Sequence, residues 1–122
     1  MDNYSSQLDS VFIALADPTR RAVIHRLGAG PASVGDLSRA FPMALPSFMK
    51  HLSVLERCGL VRSRKSGRVR TCELVPQTLS GAERWMAAQR ALWASRSDRL
   101  ATFVEQLHQE DLTHERHPTR RR

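Results

Sequence analysis

Cysteine is scarce: Cys58 and Cys72 are the only two in 122 residues. That number excludes a disulfide framework, and no secretory signal pattern opens the sequence, so a reducing, cytoplasmic setting is expected. Long apolar runs are missing as well, and nothing approaches the ~20 residues that a membrane span requires. No nucleophile–base pair, Gly-rich phosphate loop or paired-carboxylate constellation is recognisable, which argues against an enzyme and calls for no cofactor. Internal repeats are also absent. The most local of the absences is acid. Between Arg57 and Arg70 stand six cations (Arg57, Arg62, Arg64, Lys65, Arg68 and Arg70) without one Asp or Glu.

What is present follows from that imbalance. A formal charge of +7 and a sequence pI near 10.9 favour a polyanionic partner, because neutralised phosphates release counterions. The length suits one domain with a single modest core.

Residues 1–7 are polar and read as a flexible N-terminus. Leu8, Val11, Phe12 and Leu15 then follow the i, i+3, i+4, i+7 rhythm of a short amphipathic helix. Asp17-Pro18 starts another, with Asp as N-cap and Pro where its missing N–H costs nothing. That helix buries Val23, Ile24 and Leu27 and stops at Gly28 and Gly30-Pro31. Ser33 with Asp36 forms a capping box for a helix over 33–40 that buries Val34, Leu37 and Ala40. Phe41-Pro42 breaks it, and a second helix spans 44–58, with Pro46 tolerable in its first turn. Gly59 supplies a left-handed terminator. A basic hairpin spans 60–75, its strands 60–65 and 68–75 joined by Ser66-Gly67.

With Phe48, Leu52 and Leu55 pointing inward, the 44–58 helix turns Leu45, Met49, Lys50, Ser53 and Arg57 outward. Ser47 lies in its first turn, where free N–H groups favour a phosphate, and His51 flanks that face. Lys50 suits guanine O6/N7 or a phosphate, whereas Leu45 and Met49 suit thymine methyls. In the hairpin, Arg62, Arg64, Lys65, Arg68 and Arg70 are placed to grip phosphates. Helix, turn, helix and cationic wing together point to duplex DNA as partner.

From residue 77 to about 109 the chain has helical character, about 45 Å at 1.5 Å per residue. Met86, Trp93, Leu100, Phe103 and Leu107 recur at spacings of three, four and seven, with Trp85 and Leu92 beside them. So small a body cannot cover this stripe, so a second copy is the expected partner. Residues 110–122 read as a disordered basic tail, which leaves 8–109 as the folded domain.

A metal site needs three or four converging thiolate, imidazole or carboxylate ligands. Cys58 and Cys72 read instead as buried structural thiols, and no metal is expected. The alternative is a metal- or redox-responsive protein that uses Cys58 and Cys72, or the C-terminal His108, His114 and His117.

The stretch LADPTRRAVIHRL (15–27), followed by GPASVGDLSRAFPMALPSFMKHLSVLERCGLVRSRKSGRVRTCEL (30–74), resembles the ArsR/SmtB-type winged helix-turn-helix repressors, over about residues 8–107. The resemblance implies a mainly α fold with a small β-hairpin wing, and a bacterial or archaeal homodimer formed through the first and last helices, with Leu8, Val11 and Phe12 contributing from the first. It also implies an inverted-repeat operator near the chain's own promoter. Two departures stand out. Ala44, Leu45 and Met49 occupy positions that are polar in many relatives. The Cys-x-Cys pair of the metal-sensing branches is replaced by LSRAFPM, and the dimer helix has no His before His108. The resemblance leaves open whether a small-molecule effector exists.

Overall fold

The computed structural model describes the backbone of residues 2–116 and the side chains of residues 6–113. Its elements run α1 (Asp2–Leu15), α2 (Pro18–Leu27), β1 (Ala32–Ser33), α3 (Val34–Arg39), α4 (Leu45–Arg57), β2 (Val61–Ser66), β3 (Val69–Leu74) and α5 (Pro76–Arg116). This is the mainly helical, winged architecture that the sequence led us to expect. The chain divides into two compact units, Met1–Arg84 and Trp85–Arg122, where the sequence suggested a single body over 8–109.

The first unit contains the core. Phe48, Leu52 and Leu55 of α4 are fully buried, together with Val11 and Ala14 of α1, Val23 of α2, Leu37 of α3, and Leu60, Cys72 and Ala82. Each large apolar side chain taken from water stabilises the fold by roughly 1.5–3 kcal/mol, so the three α4 residues fix which face of that helix remains outside. Local caps set where the helices begin. Asp17 Oδ2 accepts from the Arg20 N–H at 3.0 Å, and Ser33 Oγ accepts from the Asp36 N–H at 3.0 Å. Each satisfies an otherwise unpaired first-turn donor.

At the end of α4, Gly59 has φ +85°, a conformation open to glycine at little cost. An added Cβ there would sit 3.1 Å from Gln7 Nε2 and 3.4 Å from Thr78 Oγ1. Thr78 Oγ1 donates to the Gly59 carbonyl at 2.7 Å, and Gln7 Nε2 donates to the Cys58 carbonyl at 3.5 Å. The terminator of α4 is therefore held from both α1 and the start of α5.

Several expectations change. Helix α1 begins at Asp2, so residues 2–7, expected to be loose, are helical in backbone; the Gln7 bond to Cys58 holds a turn that carries no apolar pattern. Helix α5 continues to Arg116, past the tail boundary set at 109, because nothing between Gln109 and Arg116 breaks a helix. The remainder of the expected tail, 117–122, lies outside the described residues. Ala40, expected in the core, is exposed, since α3 ends at Arg39 and Ala40 is its C-cap.

A third strand was not foreseen. Ala32 and Ser33 pair antiparallel with Cys72 and Thr71, giving the sheet order β1-β3-β2. Two residues carry no readable alternation. The hairpin loop also moves by one position. Ser66 pairs with Val69, so Gly67-Arg68 is the two-residue loop. Gly67 has φ +62° and no described non-glycine residue has positive φ, the pattern of a type II′ turn with Gly first.

Candidate nucleic-acid interface

Helix α4 keeps one face free. Pro46, Lys50, Ser53 and Arg57, at i, i+4, i+7 and i+11, are all exposed, opposite Phe48, Leu52 and Leu55. Leu45 at the helix start is 55% exposed, but on the wheel it falls about 20° from Leu52, in line with the buried stripe and not on the outward face expected for it. Ser47 is exposed in the first turn. The N-cap, Ala44, makes no side-chain cap bond, so first-turn N–H groups stay open to an outside acceptor. Arg57 Nε donates weakly to the Ser53 carbonyl at 3.5 Å, which leaves its terminal nitrogens outward.

Met49, expected on this face, and His51, expected on its flank, are both half-buried. Met49 packs against the core, because it sits about 100° from Phe48 on the wheel and so on the flank, not the outer face. His51 has Nδ1 3.2 Å from Arg20 Nη1 and 3.6 Å from Asp17 Oδ2. It joins α4 to the cap of α2 and does not stand ready for a phosphate. Arg20 also donates to the carbonyls of Ala14 at 2.8 Å and Ile13 at 3.2 Å. The Arg20 N–H bond, foremost, holds the Asp17 carboxyl below its ordinary pKa; desolvation opposes it, and the neighbouring His51 and Arg20 charges add to the lowering.

In the wing, register decides which cations are free. Arg62 faces Glu73 across the strands, Arg64 faces Thr71, and Lys65 faces Arg70. Glu73 Oε1 accepts from Arg62 Nε at 3.1 Å and from Arg64 Nη2 at 3.4 Å. Arg70 turns inward: it forms an ion pair with Glu56 of α4 and donates through Nε to Ser63 Oγ at 3.0 Å. Ser63 Oγ in turn donates to Glu56 Oε2 at 2.6 Å.

Arg70, expected to grip phosphate, is thereby committed to the reader helix. Lys65 and Arg68 at the tip are exposed and have no ion-pair partner among the described residues. Arg68 lies in the turn itself and not beside it. Val69 is 52% exposed on the same outer face as Arg62 and Arg64.

Sequence reading missed Glu56, Ser63, Glu73 and Val69. With Ser66-Gly67 as the loop, Glu73 would face Leu60 and not Arg62. The deficit of acid between Arg57 and Arg70 is real, but the carboxylates that answer it stand just outside that window.

Cys58 and Cys72 are free and buried, and Cys58 Sγ donates to the Leu55 carbonyl at 3.4 Å. Burial pushes both thiols above their ordinary pKa, with the Glu56 carboxylate adding to the rise at Cys72. Among the described residues, no three His, Cys, Asp or Glu side chains gather as a metal site. His108 is exposed on α5, while the side chains of His114 and His117 lie outside the described residues. No described helix is long and apolar enough to cross a membrane.

The second unit presents the stripe expected to meet another copy. Trp93, Leu100, Phe103 and Leu107 are exposed, as are Trp85, Met86, Leu92, Val104 and Leu112. The residues expected from α1 are different. Val11 is 1% exposed and belongs to the core of the first unit, and Leu8 and Phe12 are half-buried against that core. Val11 points inward because the core stripe of α1 runs through Val11 and Ala14.

This geometry defines a helix-turn-helix protein with a β-wing. A helix-turn-helix domain model matches residues 15–64. The chain is 42% identical to the HTH-type transcriptional regulator Rv2034 of Mycobacterium tuberculosis, over 66% of this chain and 74% of that protein. It is 29% identical to the transcriptional repressor SdpR of Bacillus subtilis, over 65% of this chain and 88% of that one. Among solved structures, the ArsR family transcriptional regulator RHA00566 is 53% identical with a TM-score of 0.71, covering 75% of this chain and 94% of its own. The homodimeric winged helix-turn-helix DNA-binding domain of Mb0332 from Mycobacterium bovis, a possible ArsR-family regulator, is 25% identical with a TM-score of 0.58. That match covers 71% of this chain and 82% of Mb0332. The chain belongs to the ArsR family of winged helix-turn-helix transcriptional regulators, and it is a DNA-binding protein.

Proposed function

We propose that the chain is a homodimeric repressor that binds an inverted-repeat operator. Helix α4 lies in the major groove, and the tip of the β2–β3 wing lies along the adjacent backbone. The observation that carries this reading is the stripe of Lys50, Ser53 and Arg57 left exposed by the burial of Phe48, Leu52 and Leu55. Lys50 and Ser53 meet base edges or phosphates. Ser47 and Arg57 flank the groove, and Lys65 and Arg68 hold phosphates. Arg62 and Arg64 share Glu73 but stay 64% and 78% exposed, so each keeps donors for a phosphate. The exposed Trp93–Leu107 stripe is the face that meets a second copy, and two reader helices about one turn of duplex, ~34 Å, apart would fit successive major grooves. Repression follows by occlusion of the promoter. The relative SdpR is a named repressor and Mb0332 is homodimeric, and both support this reading.

Selection of the full-length protein against a pool of random duplexes tests it. The recovered sequences should converge on two inverted half-sites, and an unenriched pool would overturn the operator reading. A sensor acting through Cys58 and Cys72 is disfavoured by the burial of both thiols.

A further inference from the structure

Glu56 and Arg70 are both on or next to elements that meet DNA, yet each is turned away from it. Their side chains retain 24% and 38% of their exposure, and Ser63 Oγ bonds to both, 2.6 Å from Glu56 Oε2 and 3.0 Å from Arg70 Nε. The result is a closed three-residue ring that ties the last turn of α4 to the middle of β2 and β3. Arg70 sits on the inward face of β3 with Cys72 and Leu74, since 70, 72 and 74 alternate together, and Cys72 is fully buried beneath it. Removing Glu56 would leave a half-buried guanidinium without its counter-charge. Removing Arg70 would leave Glu56 facing only Ser63.

We propose that Glu56 and Arg70 form a positioning pair that fixes the angle of the wing against the reader helix, and thereby sets operator specificity, without either residue touching DNA. The inference rests on the DNA-binding reading and deepens it. Specific binding requires α4 and the wing tip to reach bases and phosphates simultaneously, whereas non-specific binding needs only charge. A wing that swings relative to α4 still grips phosphate through Lys65 and Arg68, but loses the register that makes one sequence better than another. Cutting the pair should therefore lower the preference for the operator far more than the affinity for random duplex.

The test uses the full-length protein, the inverted repeat recovered by selection, and a random-sequence duplex of equal length. Glu56→Ala and Arg70→Ala should each reduce the operator-to-random affinity ratio about tenfold, a coupling of ~1.4 kcal/mol. The double variant should be no worse than either single one, because both remove the same link. Glu56→Gln, whose amide oxygen can accept from Arg70 while its NH2 donates to Ser63 Oγ, should retain more of the ratio than Glu56→Ala. Arg70→Ala should leave the salt slope unchanged.

A salt slope reduced by about one in Arg70→Ala would make Arg70 a phosphate contact and overturn the proposal. Additive losses in the double variant, or an unchanged ratio in variants that unfold more easily, would likewise overturn it. If the wild-type chain itself shows no preference for any duplex, the operator reading fails first, and that result is distinct from all of these.

Discussion

Arg20 Nη1 lies 3.2 Å from Nδ1 of His51, joining the second helix to the reader helix. The same guanidinium donates to the carbonyls of Ala14 and Ile13, so one side chain closes the C-terminus of α1 and braces α4. A planar fork can do this; an ammonium cannot hold the same three directions. Arg20→Lys should therefore behave much like Arg20→Ala, each destabilising the protein by about 1.5–3 kcal/mol. Urea unfolding measures it, and a Lys variant as stable as wild type would show that the charge alone matters.

The N-cap beside it has a pH signature. Asp17 is held below its ordinary pKa of 3.8 chiefly by the Arg20 N–H. Its contribution is thus fully present above 3.8 and is lost as pH falls through the lower folded value. Asp17→Ala should cost about 1 kcal/mol at neutral pH, with the gap to wild type closing in acid. Unfolding curves across that range provide the check, and a gap that widens in acid would reverse the sign.

Wing cations divide by partner. Lys65 and Arg68 have no ion-pair partner among the described residues, whereas Arg62 and Arg64 share Glu73. Exchange of Lys65 and Arg68 for Ala should lower the slope of log affinity against log salt by ~0.9 per lost phosphate contact, about 1.8 for the pair. Binding isotherms at several salt concentrations would show it, and an unaltered slope would remove the tip from the interface.

Much of this was legible beforehand because the apolar spacing is strong where the core is. Phe48, Leu52 and Leu55 marked the inward face of α4, and Asp17, Ser33 and Gly59 marked helix ends through local chemistry that needs no tertiary contact. The errors fall where a partner distant in sequence decides. Glu73 restrains Arg62 and Arg64 only because the loop is Gly67-Arg68, a shift of one residue that turn preferences alone do not resolve. Arg70 was assigned to phosphate because charge is visible in sequence and Glu56, fourteen residues earlier, was counted with another helix. Val11 and Met49 carry apolar side chains equally suited to a core or an interface, and only packing separates the two.

The buried thiols make a chemical prediction. Because burial raises both Cys58 and Cys72, little thiolate is present at neutral pH. In the folded protein both should react with a thiol-specific disulfide reagent far more slowly than in denaturant. Fast labelling of either in the native state, with loss of DNA binding, would instead favour a redox sensor.

On α5, the exposed stripe centred on Trp93 carries the proposed pairing of copies. Trp93→Glu should convert a dimer into a monomer in sedimentation velocity while leaving the fold of the first unit intact by circular dichroism. A dimer that persists would place the interface elsewhere.

The central claim is that the outward stripe of α4 reads sequence. Affinity of the full-length protein and of Lys50→Ala for the selected inverted repeat and for random duplex, at one fixed salt concentration, tests it most directly. Wild type should prefer the inverted repeat strongly, and Lys50→Ala should lose about 1–3 kcal/mol on it and little on random sequence. Equal affinity of the wild-type protein for both duplexes would contradict the account.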